Sequence, residues 1–471
     1  MDGTTLIETA ADSTGALADL RSALRGRVRT PLDPDWDAER AAWALSVDQR
    51  PALVVRPADA EDVRLAVRYA AAHGLQVAPQ ATGHNAAPLG SLARTMLLRT
   101  DLMRRVTIDP VAMSARVEAG AQWQDVTGPA AVHGLAALAG SSPDVGVVGY
   151  TLGGGVSWLA RSHGLAANSV TAIELVTVDG VLRRVDDAHD PELFWALRGG
   201  GGSFGVVTAL EFRLYPLTTV HAGALFWPLE RAADIMHAWR EWTESLPASV
   251  MSVARVLRFP PLPDVPAPMR GRSFVIVEAV FQDAAPVADA FLSDLRRLSP
   301  EIDTFAPTSM PGLSLLHMDP PGPVPGLGDG ALLAELTPEA LDALLAVVAT
   351  PRGEALMSAE LRHLGAALAP GRSEGGAVSG LDGAYLLFAG GMAATPEAAR
   401  AVGAAIDDAL AAIAPWRSAS DYLNFAERPV AAQRLFGATQ SRLAAIAGRV
   451  DPHGVMRANH PVTRGADGAA S

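Results

Sequence analysis

The sequence predicts an α+β protein in two parts, and three observations carry that expectation. The chain has 471 residues, more than one ordinary domain and enough for two, or for one domain with a large insertion. Residues 51 to 80 alternate strand, helix and strand, whereas from about residue 217 strand-like runs meet across proline-rich turns, as in an antiparallel sheet. Apolar residues make up 49% and charged residues 19%, the balance of a folded globular chain.

The elements follow in order. "PALVV" (51–55) has the apolar, β-branched character of a strand. Asp59 can cap a helix in which Val63, Ala66, Val67, Ala70 and Ala71 recur at helical spacing, and Gly74 can end it. "LQVAP" (75–79) is the second strand, which places the Gly83-His84 loop at a strand's C-terminal end, where α/β folds gather ligands. Short β runs then alternate with turns from about 170 to 215: "VTAIELVTVDG", "RRVDD" and "FGVVTALEFRLYPL". "VMSVARVLRF" (250–259) and "RSFVIVEAVF" (272–281) flank the turn "PPLPDVPAPMRG". "VADAFLSDLRRL" and "PEALDALLAVVA" are the accompanying helices, while "MDPPGPVPGLGDG" (318–330) is too rich in proline and glycine to be regular and reads as a surface loop, with a lid as the competing reading. The last fifty residues resume a mixed pattern, and no internal repeat is evident.

Composition removes whole classes of chemistry. Cysteine is absent, which excludes disulfides, zinc-thiolate sites and thiol nucleophiles. All 38 basic residues are arginine, so neither a Schiff-base lysine nor a P-loop lysine exists. A net charge of -13 without basic clusters argues against nucleic acid or an anionic membrane as partner. No run approaches eighteen apolar residues, and the N-terminal tip is acidic without an apolar core. The expectation is a soluble, cytoplasmic protein with no metal site.

Three glycine-rich loops need a reason: "ATGHN" (81–85), "GSSPDVGVVGYTLGGG" (140–155) and "LRGGGGSFGVVT" (197–208). Glycine permits positive φ and lets backbone come close to a ligand, so such loops can cradle a phosphate-bearing cofactor through main-chain N–H groups. Structural tight turns are the competing reading, and none of the three loops fits a nucleotide fingerprint.

Ordered blocks of the chain resemble the berberine bridge enzyme-like flavoproteins of the vanillyl-alcohol oxidase superfamily, with a PCMH-type FAD-binding domain. They run from "PDWDAERAAWALSVDQRPALVVRPADAEDV" through "PQATGHN", "HGLAALAGSSPDVGVVGYTLGGGVSWLARSHGLAANSV" and "DPELFWALRGGGGSFGVVTALEFRLYPL" to "DYLNF" and "RVDPHGVMRANHPV". The resemblance implies an FAD-binding domain of residues 1–216 and 420–471, with a substrate domain on an antiparallel sheet flanked by helices inserted at 217–419.

It further implies that His84 carries FAD covalently at the 8α carbon. A bond there withdraws electron density and raises the flavin's potential. Where many relatives have a second, cysteinyl attachment this chain has Ser142, so no cysteinyl link is possible. Gln80 and Thr82 likewise replace an arginine and a glycine of the usual motif. Thr82, Gly83 and Asn85 are expected at the pyrophosphate turn, and Gly146, Gly149, Gly153 and Gly154 along the long cofactor loop. Tyr150 would support charge near the flavin N1, and Gly205 and Val207 would meet the adenine. Hydride transfer needs a group that takes the substrate proton. Tyr422 matches the tyrosine of the family's Tyr-x-Asn motif and is the expected base, with Tyr385 second. Asn424 and Asn459 would position the flavin side, and His163, His317 and His363 are read as structural.

The activity so implied is an FAD-dependent oxidase of a small organic alcohol, sugar or amine, with oxygen as acceptor and hydrogen peroxide as product. A flavin dehydrogenase, an oxidative cyclase of secondary metabolism and a non-enzymatic flavin-binding protein share the same motifs.

Overall fold

The computed structural model describes residues 15–463, and the acidic N-terminal tip lies outside them. Strand Leu53–Arg56, helix Ala60–Ala72 and strand Gln76–Gln80 form the expected βαβ start. Asp59 caps the helix by accepting from the backbone N–H groups of Glu61 and Asp62, two of the four donors a helix start leaves unpaired. Gly74 ends it at φ +63°, a conformation that costs glycine little. The sheet order is Arg27–Arg29, Leu53–Arg56, Thr95–Arg99, Gln76–Gln80, parallel except at the first pair. Val63, Ala66, Val67 and Ala70 bury their stripe against Val55, Val77, Met96 and Leu98. Each such valine or leucine side chain stabilises by about 1.5–3 kcal/mol.

A five-stranded antiparallel sheet follows, with Val206–Arg213 between Ser114–Glu118 and Val170–Val176. The chain end returns to the first sheet, where Val77 N–H donates to Val455 O at 2.7 Å and Arg457 N–H donates to Val77 O at 2.8 Å.

The sheet within residues 217–419 has eight strands, all paired antiparallel. Val250–Arg258 and Ser273–Phe281 pair in register from Val250↔Phe281 to Arg258↔Ser273, as their flanking turn predicts. Side chains alternate faces along each strand. Ala254 and Val256 therefore pack beneath helices Ala232–Glu244, Ala285–Arg296, Pro338–Val348 and Pro396–Ala412. Met251, Val253, Leu332 and Leu386 instead meet Trp158, Leu165 and Tyr422 across the boundary with the first part.

The proline-glycine segment 318–330 is not wholly a loop. Its end begins the strand Gly326–Leu333, which pairs with Tyr385–Met392. Glycine masks the strand pattern but is required, because a Cβ on Gly328 would lie 2.3 Å from the Phe388 ring. Just before it, Val324 forms a bridge with Ala44 and accepts from Leu45 N–H at 2.9 Å, tying the two parts together across one rim of the cleft between them.

Candidate functional site

That cleft is a cavity of about 470 Å³. Strand Gln76–Gln80 delivers the 81–85 loop to it, and Gly83 turns the chain at φ +85°. The His84 imidazole stacks on Trp43 with centroids 4.0 Å apart and planes 17° off parallel. Its Nδ1 meets Thr82 Oγ1 at 2.9 Å. Nε2 lies 3.4 Å from Asp144 Oδ1, outside hydrogen-bond geometry, and is buried without a partner among the described residues. Asp144 also accepts from Trp43 Nε1 at 2.6 Å and from Ser142 Oγ at 2.9 Å. Burial works against it, yet the contact with His84 and these two donors hold the Asp144 carboxyl below its usual range. Gln80 stands where the resemblance has an arginine and pairs with Gln49 in the interior. Asn85 ties the loop to the C-terminal segment through Leu423 O and Ala426 O, which leaves its buried Oδ1 unpartnered.

Thr82, Gly83, His84, Asn85, Ser142, Gly146, Gly149, Tyr150, Gly205, Val207, Asn424 and Asn459 all line the cavity. A Cβ on Gly149 would meet nothing within 4 Å, so this glycine keeps cavity space open. Gly153 and Gly154 do not line it, a correction to the expected cofactor contacts. A Cβ on Gly153 would sit 1.8 Å from Asn424 Oδ1, and one on Gly154 3.5 Å from the Tyr422 ring. They serve the approach of the Tyr-x-Asn segment. Tyr150 donates its hydroxyl to Leu138 O at 3.1 Å, so its fixed hydrogen bond is to backbone.

Tyr422 is buried on the cavity wall. Its oxygen accepts from Val156 N–H at 3.0 Å and from Asn424 Nδ2 at 2.9 Å, and Asn424 Nδ2 also reaches Tyr150 O at 2.9 Å. Burial outweighs these donors and pushes the phenol up to about 12. Tyr385 is absent from the cavity. It points into the core under the helices, bonded to Thr243 Oγ1 at 2.6 Å and packed edge-on to Trp239. Its strand alternates, so Phe388 and Gly390 face the cavity where Tyr385 cannot.

Sequence reasoning missed a charged cluster on the same wall. His317, read as structural, is clamped at 2.6 Å by Glu278 through Nδ1 and at 2.6 Å by Glu360 through Nε2. Arg255 Nη2 donates to Glu278 Oε1 at 2.5 Å and Arg362 Nε to Glu360 Oε1 at 2.7 Å. Burial and Arg255 oppose a charge on His317, but the two carboxylates raise it to about 9. Burial likewise opposes Glu360, and Arg362 and His317 hold it well below the carboxylate range. The available signal was Glu360 and Arg362 alternating with Ala359 and Leu361 along one strand. Glu427 was missed too. It lines the cavity and accepts from Gly328 N–H at 2.9 Å. The residue is part-exposed, but its carboxyl sits in packed surroundings that, with Asp329 nearby, push it up to about 7. His163 and His363 stay outside the cavity.

The cavity fits an extended cofactor with a phosphate-bearing middle. Backbone at Gly83, Gly146, Gly149 and Gly205 borders open space, the buried His84 Nε2 awaits a partner, and the buried Asn85 Oδ1 awaits a donor. Among the described residues no group of side chains could hold a metal ion, and no helix is long and apolar enough to cross a membrane.

Residues 51–186 match the family described as FAD binding domain. The chain is 38% identical over 206 residues to (R)-6-hydroxynicotine oxidase of Paenarthrobacter nicotinovorans, covering 44% of this chain and 45% of that protein. It is 31% identical over 217 residues to xylooligosaccharide oxidase of Thermothelomyces thermophilus, covering 44% and 43%. The aligned segments thus span less than half of these curated relatives. The structure of 6-hydroxy-D-nicotine oxidase from Arthrobacter nicotinovorans superposes with TM-score 0.77 at 25% identity, over 92% of this chain and 96% of that one. Physcomitrella patens BBE-like 1 superposes with TM-score 0.82 at 17% identity, over 95% and 99%.

Proposed function

We propose that this chain, similar to the FAD binding domain family over residues 51–186 and to a BBE-like protein in fold, is an FAD-dependent oxidase. Its substrate is a small organic molecule that gives up a hydride, with oxygen as the final acceptor and hydrogen peroxide as product. The observation that carries this reading is the convergence in one cavity of backbone from all three glycine loops, an unpartnered imidazole nitrogen and groups able to handle a proton. Thr82, Gly83, Asn85, Gly146 and Gly149 would hold the cofactor's phosphate-bearing middle, and Gly205 and Val207 the far end. His84 would be the covalent attachment through Nε2, the nitrogen Thr82 leaves unengaged. Trp43 fixes the ring's plane and Thr82 its Nδ1 side. Ser142 makes no second link, because a serine oxygen lacks the nucleophilicity of a thiolate and its hydrogen is given to Asp144. When bound, FAD supplies a two-electron acceptor that oxygen can reoxidise.

The chain's own part in the reaction is to orient the substrate and take its proton. Tyr422 is the proposed base, with Val156 N–H and Asn424 placed to stabilise a phenolate. The carboxyl of Glu427, pushed up to about 7 on the same cavity, favours a second reading in which it takes the proton.

The test is a denaturing gel of the purified protein, scanned for flavin fluorescence beside His84→Ala. Fluorescence should stay with the wild-type band and vanish from the variant. A yellow protein that releases all its flavin on denaturation would refute the attachment, and one that cannot be loaded with FAD would refute the function.

A further inference from the structure

Arg362 lies on the cavity wall and is only 7% exposed. Its Nε is committed to Glu360 and its guanidinium carbon lies 5.0 Å from the Phe425 ring centroid. Neither of its terminal nitrogens has a hydrogen-bond partner among the described residues. Glu360 cannot turn to serve them, because its second oxygen is held at 2.6 Å by His317, which Glu278 holds in turn. The guanidinium is thus aimed by a braced chain of charges, with its outer edge left to the cavity.

The charges around the fork are close to balanced. Arg255, His317 and Arg362 are three cations against the carboxylates of Glu278 and Glu360, all buried. Asp319, part-exposed and accepting from Ser141 Oγ at 3.3 Å, is a third carboxylate that acts on both His317 and Arg362, so what draws an acceptor to the fork is its open donors. Phe425 and Phe388 flank the fork, and Leu257 and Met357 extend the apolar wall of the same cavity farther along the sheet. The open donors face the cavity, and a carboxylate fits both of them at once.

We infer that the substrate is an organic acid with an apolar body, whose carboxylate docks on the outer edge of Arg362. This rests on the FAD-dependent reading for the chemistry but not for the docking. Glu360, with both oxygens engaged, is a positioning residue for Arg362, and His317 braces it.

Isothermal titration calorimetry of the FAD-loaded protein tests the proposal with sodium benzoate and with benzamide, its neutral counterpart of the same shape. Benzoate should bind, and benzamide should bind at least about tenfold more weakly. Arg362→Gln should weaken benzoate about 10- to 100-fold and leave benzamide unchanged. Arg362→Lys, which keeps the charge but not the fork, should fall between, and it decides the matter should Arg362→Gln fail to fold. Equal binding of the two probes, no benzoate heat, or benzoate affinity indifferent to Arg362 would overturn the proposal. Lost flavin with unaltered benzoate binding would overturn it too, by assigning the fork to the cofactor. Flavin absorbance of the same samples separates the two readings. A colourless protein whose benzoate binding depends on Arg362 sinks the oxidase and keeps the docking site, and a yellow protein indifferent to benzoate does the reverse.

Discussion

At Tyr422 burial prevails over two aimed N–H donors, so the phenol keeps its proton through neutral pH. A rate that needs its ionised form rises with pH and reaches no plateau below about pH 12. A rate that needs ionised Glu427 rises through about pH 7 and then levels. With Tyr422 as base, kcat/KM measured from about pH 6 to about pH 10 should climb throughout, and Tyr422→Phe should abolish the climb and lower the rate about 10²- to 10⁴-fold. A plateau above neutrality that Glu427→Gln removes moves the assignment to Glu427. That His84 and Tyr422 lie on the cavity was legible because their neighbours form recognisable motifs. Glu427, His317 and Arg362 were not, because their partners are distant in sequence and their perturbation comes from burial, which only the packed chain creates.

The glycine loop 140–155 contains residues that one letter does not distinguish. Gly155 has φ +80° and a Cβ there would lie 2.4 Å from the Tyr150 ring, whereas a Cβ on Gly149 would enter open cavity. Gly155→Ala should therefore destabilise by about 2 kcal/mol or more and lower the melting temperature. Gly149→Ala should melt as wild type and lose flavin more readily, and calorimetry with flavin absorbance distinguishes the two outcomes. Elements with an apolar period were readable in advance, among them the Asp59-capped helix and the Val250–Phe281 strand pair. Strand Gly326–Leu333 was hidden because its glycines erase the alternation. Tyr385 was misplaced for a related reason: which parity of a strand faces the cavity depends on the sheet it joins, and a single residue's slip exchanges the faces.

The described chain closes on itself through residues 455–459. Val455 and Arg457 pair with Val77, Arg457 also reaches Leu89 O at 2.6 Å, and Asn459 lies on the cavity. A chain ending at residue 450 should lose flavin retention and unfold at lower temperature, measured by absorbance after gel filtration and by thermal melting. Retained flavin in that chain would show the C-terminal segment to be dispensable. The long-range return was visible in the sequence as a resumed pattern, but its pairing partner was not, since backbone bonds carry no residue signature. The bridge from Val324 to Ala44 adds a mechanical consequence. A molecule entering or leaving the cleft on that side must pass around this crossing or break it, so it acts as a crossbar.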